Sequence, residues 1–139
     1  MIHQMPVRVY YEDTDAGGVV YYTNYLKYAE RARTEMLRAI GFENKAMKDD
    51  LGILFVVRGV KADYFKPAVL DDLLEVRTQI GELKNTNVVM RQSIYRDETL
   101  LFHADVRLVC ITEEKMKPTR FPNELNEGFK RYLENGSTS

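Results

Sequence analysis

The stretch Val7-Arg8-Val9-Tyr10-Tyr11-Glu12-Asp13-Thr14-Asp15-Ala16-Gly17-Gly18, running on to Tyr22, decides how this chain is read. Val7 to Tyr11 are β-branched or aromatic and predict a strand. The polar, glycine-bearing run Glu12 to Gly18 predicts a loop. From Tyr22 to Ile40 the apolar residues Tyr22, Tyr25, Ala29, Ala32, Met36 and Ile40 recur at steps of three and four, with Lys27, Glu30, Arg31, Thr34, Glu35 and Arg38 between them. That spacing predicts one long amphipathic helix. Thr23 or Asn24 is the expected cap of its first turn, and Gly41-Phe42 reads as a left-handed stop. Ala29 and Ala32 are small enough to bring the helix axis close to a sheet.

Downstream, the charged link from Glu43 to Asp50 has room for one more helical turn. The pattern then changes to period two. Leu54, Val56, Val60, Ala62 and Tyr64 form one side of a long strand that Arg58 interrupts and Pro67 ends. An arginine in that position implies a buried pair, a subunit contact or an anion contact. Two more strands, Leu74 to Ile80 and Val88 to Ile94, flank a turn at Lys84 to Asn87. A fifth carries the cleanest alternation, with Leu100, Phe102, Ala104, Val106, Leu108 and Cys110 against His103, Asp105 and Arg107. Glu124 to Leu133 predicts a short helix packing Leu125, Phe129 and Tyr132. The expectation is one α+β domain over residues 1–133 and a disordered tail over 134–139. One helix cannot cover both faces of a five-stranded sheet, so the other face meets solvent or another subunit.

Composition narrows the classes of function. The 139 residues carry 20 basic and 21 acidic side chains, so no global charge favours nucleic acid or an anionic membrane. The single cysteine, Cys110, excludes an intrachain disulfide framework and suits a reducing compartment. With no apolar signal core at Met1 to Pro6 and no membrane-length apolar stretch, a soluble cytoplasmic protein is expected.

The loop before the long helix is where chemistry fits. First-turn N–H groups of a helix are unpaired and carry the positive end of the macrodipole, so they can hold a developing oxyanion. A carboxylate beside them can attack a carbonyl or activate water. The plainer alternative is that Asp13 and Asp15 shape a turn with the glycines. The phosphate-loop spacings are missing. His3 is placed in a mobile terminus and His103 on the outward parity of its strand, which disfavours a Ser-His-Asp triad. Cys110 shares the buried parity of Val106 and Leu108. Asp13 and Asp15 lack nearby partners for a metal. Lys115, Lys117 and Arg120 around Pro118 are either a solvated charged exit or a phosphate-binding rim.

The segment Tyr10 to Tyr21, with Asn24-Tyr25, Glu30-Arg31-Ala32-Arg33-Thr34-Glu35, Asp63-Tyr64-Phe65-Lys66-Pro67-Ala68, Asp71-Asp72 and Lys115-Met116-Lys117-Pro118, closely resembles the 4-hydroxybenzoyl-CoA thioesterase-like branch of the hotdog superfamily, in particular its bacterial Tol-Pal-associated acyl-CoA thioesterases. The match runs to about Pro122. It implies a curved antiparallel sheet wrapped around the long helix, a dimer or dimer of dimers with active sites at the dimer interface, and hydrolysis of an acyl-CoA substrate with no cofactor. Asp15 matches the family's catalytic aspartate and Tyr22 its backbone oxyanion donor. Lys117 and Arg120 become candidates for the coenzyme A phosphates. Tyr22 departs from the histidine usual in the Tol-Pal-associated group, which leaves the acyl group open. The rival reading is a non-catalytic hotdog module that binds an acyl chain or an acyl carrier protein for a cell-envelope complex.

Overall fold

The computed structural model describes residues 1–134. Five strands, β1 (His3–Arg8), β2 (Ile53–Tyr64), β3 (Leu73–Leu83), β4 (Asn87–Arg96) and β5 (Thr99–Thr112), form one antiparallel sheet in the order β1-β3-β4-β5-β2. The long helix α1 (Tyr22–Ile40) lies across one face. A short helical turn, α2 (Asn44–Ala46), leads into β2, and α3 (Asn123–Lys130) closes the end of the core. The α+β architecture expected from the sequence, a curved five-stranded antiparallel sheet about one long helix, is the one observed.

The core follows the alternation of β5. Phe102, Ala104, Val106, Leu108 and Cys110 are buried in one cluster with Tyr25, Ala32 and Met36 of α1. Gly41 ends α1 at φ +112°, and Phe42 N–H donates back to Leu37 O at 2.9 Å, as its position implies. Leu125, Phe129 and Tyr132 are buried as expected. Glu134 N–H donates to Ile80 O at 2.9 Å, and the rest of the expected tail, 135–139, lies outside the described residues.

Three local readings are corrected. The first strand begins at His3 and ends at Arg8, so His3 is not in a free terminus but pairs with Thr78. It stops short of Tyr11 because the Asp13 carboxylate accepts the Tyr10 N–H at 2.9 Å and folds Tyr11–Asp13 into a 3-10 turn. Neither Thr23 nor Asn24 caps α1. Tyr21 occupies that position without a side-chain bond, and the Asn24 amide donates instead to Asp13 O at 2.8 Å.

The third correction concerns Arg58. A bulge between Val57 and Gly59 makes it the extra residue of β2. Directly paired residues share a face, so the β2 residues opposite Cys110, Leu108, Val106 and Ala104 are Phe55, Val57, Val60 and Ala62. The inward parity is odd before the bulge and even after it. Leu54 and Val56 therefore face outward, and Arg58 is exposed, with no ion-pair partner among the described residues.

Candidate active site

The site begins where β1 hands over to α1. Thr14 and Val20 form an antiparallel bridge, and Asp15 N–H donates to Val19 O at 3.0 Å. Residues 14–20 thus make a small hairpin whose turn opens at Asp15, with Gly18 N–H donating to Asp15 O at 3.0 Å and Gly18 itself at φ +77°. Asp15 is exposed. Its Oδ1 accepts the Gly17 N–H at 2.9 Å, leaving Oδ2 without a hydrogen-bond partner among the described residues. The turn role and the free carboxylate oxygen coexist in one side chain.

The returning strand of the hairpin leads directly into α1. Tyr21 N–H donates to Asp13 O at 3.0 Å, and Asn24 N–H donates to Tyr21 O. Tyr22 N–H, at the first helical position, has no acceptor among the described residues. It is one of the unpaired donors that every helix start leaves, at the positive end of a 19-residue macrodipole. The structure thus brings Asp15 and Tyr22 into one hairpin-to-helix unit.

Beside it, Val19, Val20, Tyr22, Tyr25, Tyr64 and Phe65 line a shallow apolar pocket of about 270 Å³. The Tyr22 ring meets Tyr64 edge-on with centroids 6.3 Å apart, and Tyr25 stacks on Phe102 at 5.4 Å. Tyr25 also accepts the Ala68 N–H through its hydroxyl at 2.9 Å, which ties the pocket wall to the chain preceding β3.

Lys117 and Arg120 do not join this pocket. Lys117 O accepts the Thr112 N–H and Pro118 bridges Ile111, so the basic segment lies at the C-terminal end of β5. Phe102, behind Tyr25, lies ten residues earlier on the same strand. At the usual rise per strand residue that separation is on the order of 30 Å. Both basic side chains are exposed.

Other expected assignments fall as the alternation implies. His103 is on the outward face, between Ser93 Oγ at 2.8 Å from Nδ1 and Asp105 Oδ1 at 3.0 Å from Nε2. Cys110 is fully buried, which pushes its thiol pKa up to about 11. No group of three His, Cys, Asp or Glu side chains among the described residues is arranged to hold a metal ion. Nor is any helix among them long and apolar enough to cross a membrane.

Two features escaped the sequence reading. Buried Gln92 donates to Ala29 O at 2.8 Å and to Thr78 Oγ1 at 3.1 Å, and accepts from Arg33 Nη1 at 3.0 Å, which pins α1 to the sheet. Its place on the buried parity of β4 was the available signal. The second is Asp13, whose carboxylate and carbonyl both hold the loop; nothing in the one-dimensional pattern separates its role from that of Asp15.

The family model of the thioesterase superfamily matches residues 17–103. The chain belongs to that superfamily. This thioesterase-superfamily chain is 47% identical over 131 residues to the acyl-CoA thioester hydrolase YbgC of Escherichia coli O6:H1, covering 94% of this chain and 97% of the relative. It is 45% identical over 124 residues to the acyl-CoA thioesterase YbgC of Haemophilus influenzae, covering 89% and 91% respectively. A probable thioesterase from Bartonella henselae superimposes with a TM-score of 0.83 at 38% identity, covering 88% of this chain and all of that one. The family and the thioester-hydrolase class that the resemblance implied are borne out.

Proposed function

We propose that this thioesterase hydrolyses an acyl-coenzyme A thioester to the free acid and coenzyme A, with Asp15 as the working carboxylate and Tyr22 N–H at the oxyanion. The observation that carries this is the unacceptored Tyr22 N–H opening α1 in the same hairpin-to-helix unit that presents Asp15 Oδ2. As the carbonyl carbon becomes tetrahedral, negative charge grows on its oxygen. A fixed N–H and the α1 dipole stabilise that charge without reorganising. Asp15 either attacks the carbonyl carbon, giving a mixed anhydride that water then cleaves, or takes a proton from the attacking water. Both routes release the coenzyme A thiol, and neither needs a cofactor. The relatives named for acyl-CoA hydrolysis support the substrate class.

The same proposal includes a dimer. In the order β1-β3-β4-β5-β2, β2 is an edge strand of 12 residues whose Val57, Val60 and Tyr64 are about half exposed. A long apolar edge invites pairing. Antiparallel pairing of two β2 strands about a two-fold axis sets the Ile53 end of one beside the Tyr64 end of the other. That places the basic segment of one subunit toward the Tyr22 pocket of the next, so that Lys117 and Arg120 of the partner subunit hold the coenzyme A phosphates. A cytoplasmic setting accords with the single, buried, unpaired Cys110.

The test is thiol release from short aliphatic, long aliphatic and aromatic acyl-CoA esters, comparing the parent with Asp15→Asn. Hydrolysis by the parent and its loss in the variant is the expected result. A parent inert on all three classes, or a variant of undiminished rate, overturns the reading.

A further inference from the structure

Away from the Tyr22 pocket, a second cavity opens between α1 and the edge strand β2. Its volume is about 450 Å³, within the ~300–1,000 Å³ range of small-molecule sites. Leu37, Phe55, Val57 and Leu108 give it apolar walls, and Arg33 and Lys48 line it with them. Leu37 and Leu108 are buried, whereas Val57 is half exposed.

Arg33 is the unusual member of this lining. Its Nη1 donates to Gln92 Oε1 at 3.0 Å, and that neutral amide is its only side-chain acceptor among the described residues. A guanidinium has five N–H groups, so most of its donors are left over. Burial draws the Arg33 pKa below the ordinary arginine value. The lysines of the same lining differ, since Lys45 pairs with Asp49 at 2.7 Å and Lys48 with Glu113 at 4.0 Å. Glu30, the carboxylate in the lining, is exposed and forms no ion pair with Arg33. A desolvated cation without a carboxylate is costly. An incoming anion supplies the missing partner, in the bidentate geometry that a guanidinium favours.

We infer that this cavity seats the far end of the acyl group, and that the group it takes ends in a carboxylate, which pairs with Arg33 while the hydrocarbon part lies against Leu37, Phe55, Val57 and Leu108. The inference rests on the acyl-CoA hydrolysis and the β2 dimer proposed above, and it names the acyl class they leave open: the ω-carboxyacyl thioester of a dicarboxylic acid. In the proposed pairing, the β2 segment carrying Phe55 and Val57 lies toward the Tyr64 end of the other β2 strand, so the cavity faces the Tyr22 pocket across the interface. The reacting carbonyl stays at Asp15 and Tyr22 N–H, and Arg33 of the partner subunit reads the opposite end of the chain. An acyl group without that carboxylate leaves Arg33 unpaired, and this difference carries the selection.

Two measurements test it. The first follows the Arg33 Nε–Hε signal by heteronuclear NMR as hexanoate or hexanol is added to the protein. Hexanoate should shift it saturably with a Kd near ~1 mM, and hexanol, equal in chain but uncharged, should bind about 10-fold more weakly or worse. Thr34→Phe, which fills the cavity from α1 and leaves the Arg33–Gln92 bond in place, should abolish the shift. The second compares kcat/KM for succinyl-, adipoyl- and suberoyl-CoA with that for butyryl-, hexanoyl- and octanoyl-CoA. At the best length the carboxylated ester should lead by about 10-fold or more in the parent, and Arg33→Lys, which keeps the charge and loses the fork, should cut that lead to a few-fold. No shift with hexanoate, a shift that hexanol matches, or one that survives in a folded Thr34→Phe overturns the inference. So does a parent that cleaves the unsubstituted esters as well as the carboxylated ones, or a full lead retained in Arg33→Lys. A parent inert on every ester overturns the functional reading, and the NMR titration then still decides the site.

Discussion

Tyr21 donates its backbone N–H to the carbonyl oxygen of Asp13 across 3.0 Å, and this bond closes the loop carrying Asp15 onto the first turn of α1. Tyr21 itself has extended backbone (φ −60°, ψ 132°), so Tyr22 is the first helical residue, and its N–H is one of the donors that a helix start leaves unpaired.

Asp15→Asn separates chemistry from loop shape. An asparagine Oδ1 still accepts the Gly17 N–H that Asp15 accepts at 2.9 Å, so the hairpin is retained. The side chain loses its charge, and with it nucleophilic and basic power. kcat/KM should fall by about 10²-fold or more, with the melting temperature within a few degrees of the parent. Steady-state thiol release and a thermal melt check both halves.

Gln92→Leu should destabilise the fold. The variant removes the donor to Ala29 O and Thr78 Oγ1 and takes the acceptor from Arg33, whose guanidinium is partly desolvated between α1 and the sheet. Leaving buried polar groups unpaired costs about 1–3 kcal/mol each for neutral groups and more for a charged one. Urea unfolding should show a loss of about 2–4 kcal/mol, with an unchanged m-value.

Gly128→Ala tests the packing of α3 on α1. A methyl group there would lie 2.2 Å from Ile40 Cγ2, near the C-terminal end of α1. The two helices must part or Ile40 must leave its rotamer, at a cost of about 1–3 kcal/mol despite the better helix propensity of alanine. Pairing Ile40→Ala with Gly128→Ala should recover part of the loss in a double-variant cycle, because it removes the Cγ2 and Cγ1 atoms that the new methyl group would meet.

Cys110 supplies a pH signature. Burial raises its thiol to about pKa 11 in the folded state, against about 8.5 for a free thiol. Above pH 9 the unfolded chain releases this proton and the folded chain keeps it, so the unfolded state binds fewer protons and stability falls as pH rises toward 11. The contribution is fully present below pH 8. Cys110→Ala should flatten the decline of unfolding free energy between pH 9 and 11, apart from a pH-independent packing loss. A thiol reagent at pH 8 should label the parent only as fast as it unfolds.

The sequence carried the periodic parts of this protein and lost the irregular ones, for a physical reason. Side-chain period distinguishes α1 from the strands because burial selects one face, and it located Phe102 to Cys110 correctly. The parity change at Arg58 was not visible, since a bulge is decided by the partner strand, and the same residues read without it give an arginine on a buried face. The start of α1 shows the same limit: Thr23 and Asn24 are good capping residues, yet Asn24 satisfies Asp13 O instead, a choice made by the loop in three dimensions. That Asp15 and Tyr22 share one hairpin-to-helix unit was legible because they are close in sequence. The bond from the Gln92 amide to Ala29 O, across 63 positions and between β4 and α1, was not.

The distance between the basic segment and the Tyr22 pocket leads to the sharpest test of the proposed dimer. If Lys117 and Arg120 serve the pocket of the other subunit, each active site draws Asp15 from one chain and the basic pair from its partner. Lys117→Ala with Arg120→Ala should then raise KM for acyl-CoA esters about 10-fold or more, since charge-assisted contacts to phosphate are the strong ones. kcat should be retained, as should the rate on acyl thioesters that lack the nucleotide. Mixing this variant with Asp15→Asn under conditions that exchange subunits gives heterodimers in which one site carries both defects and the other carries neither. Activity at low acyl-CoA should rise well above that of either variant alone, toward half the parental rate per heterodimer. A basic segment serving its own chain, or only a solvated exit, gives no such rise, because no site then escapes the lesion of the chain that supplies it.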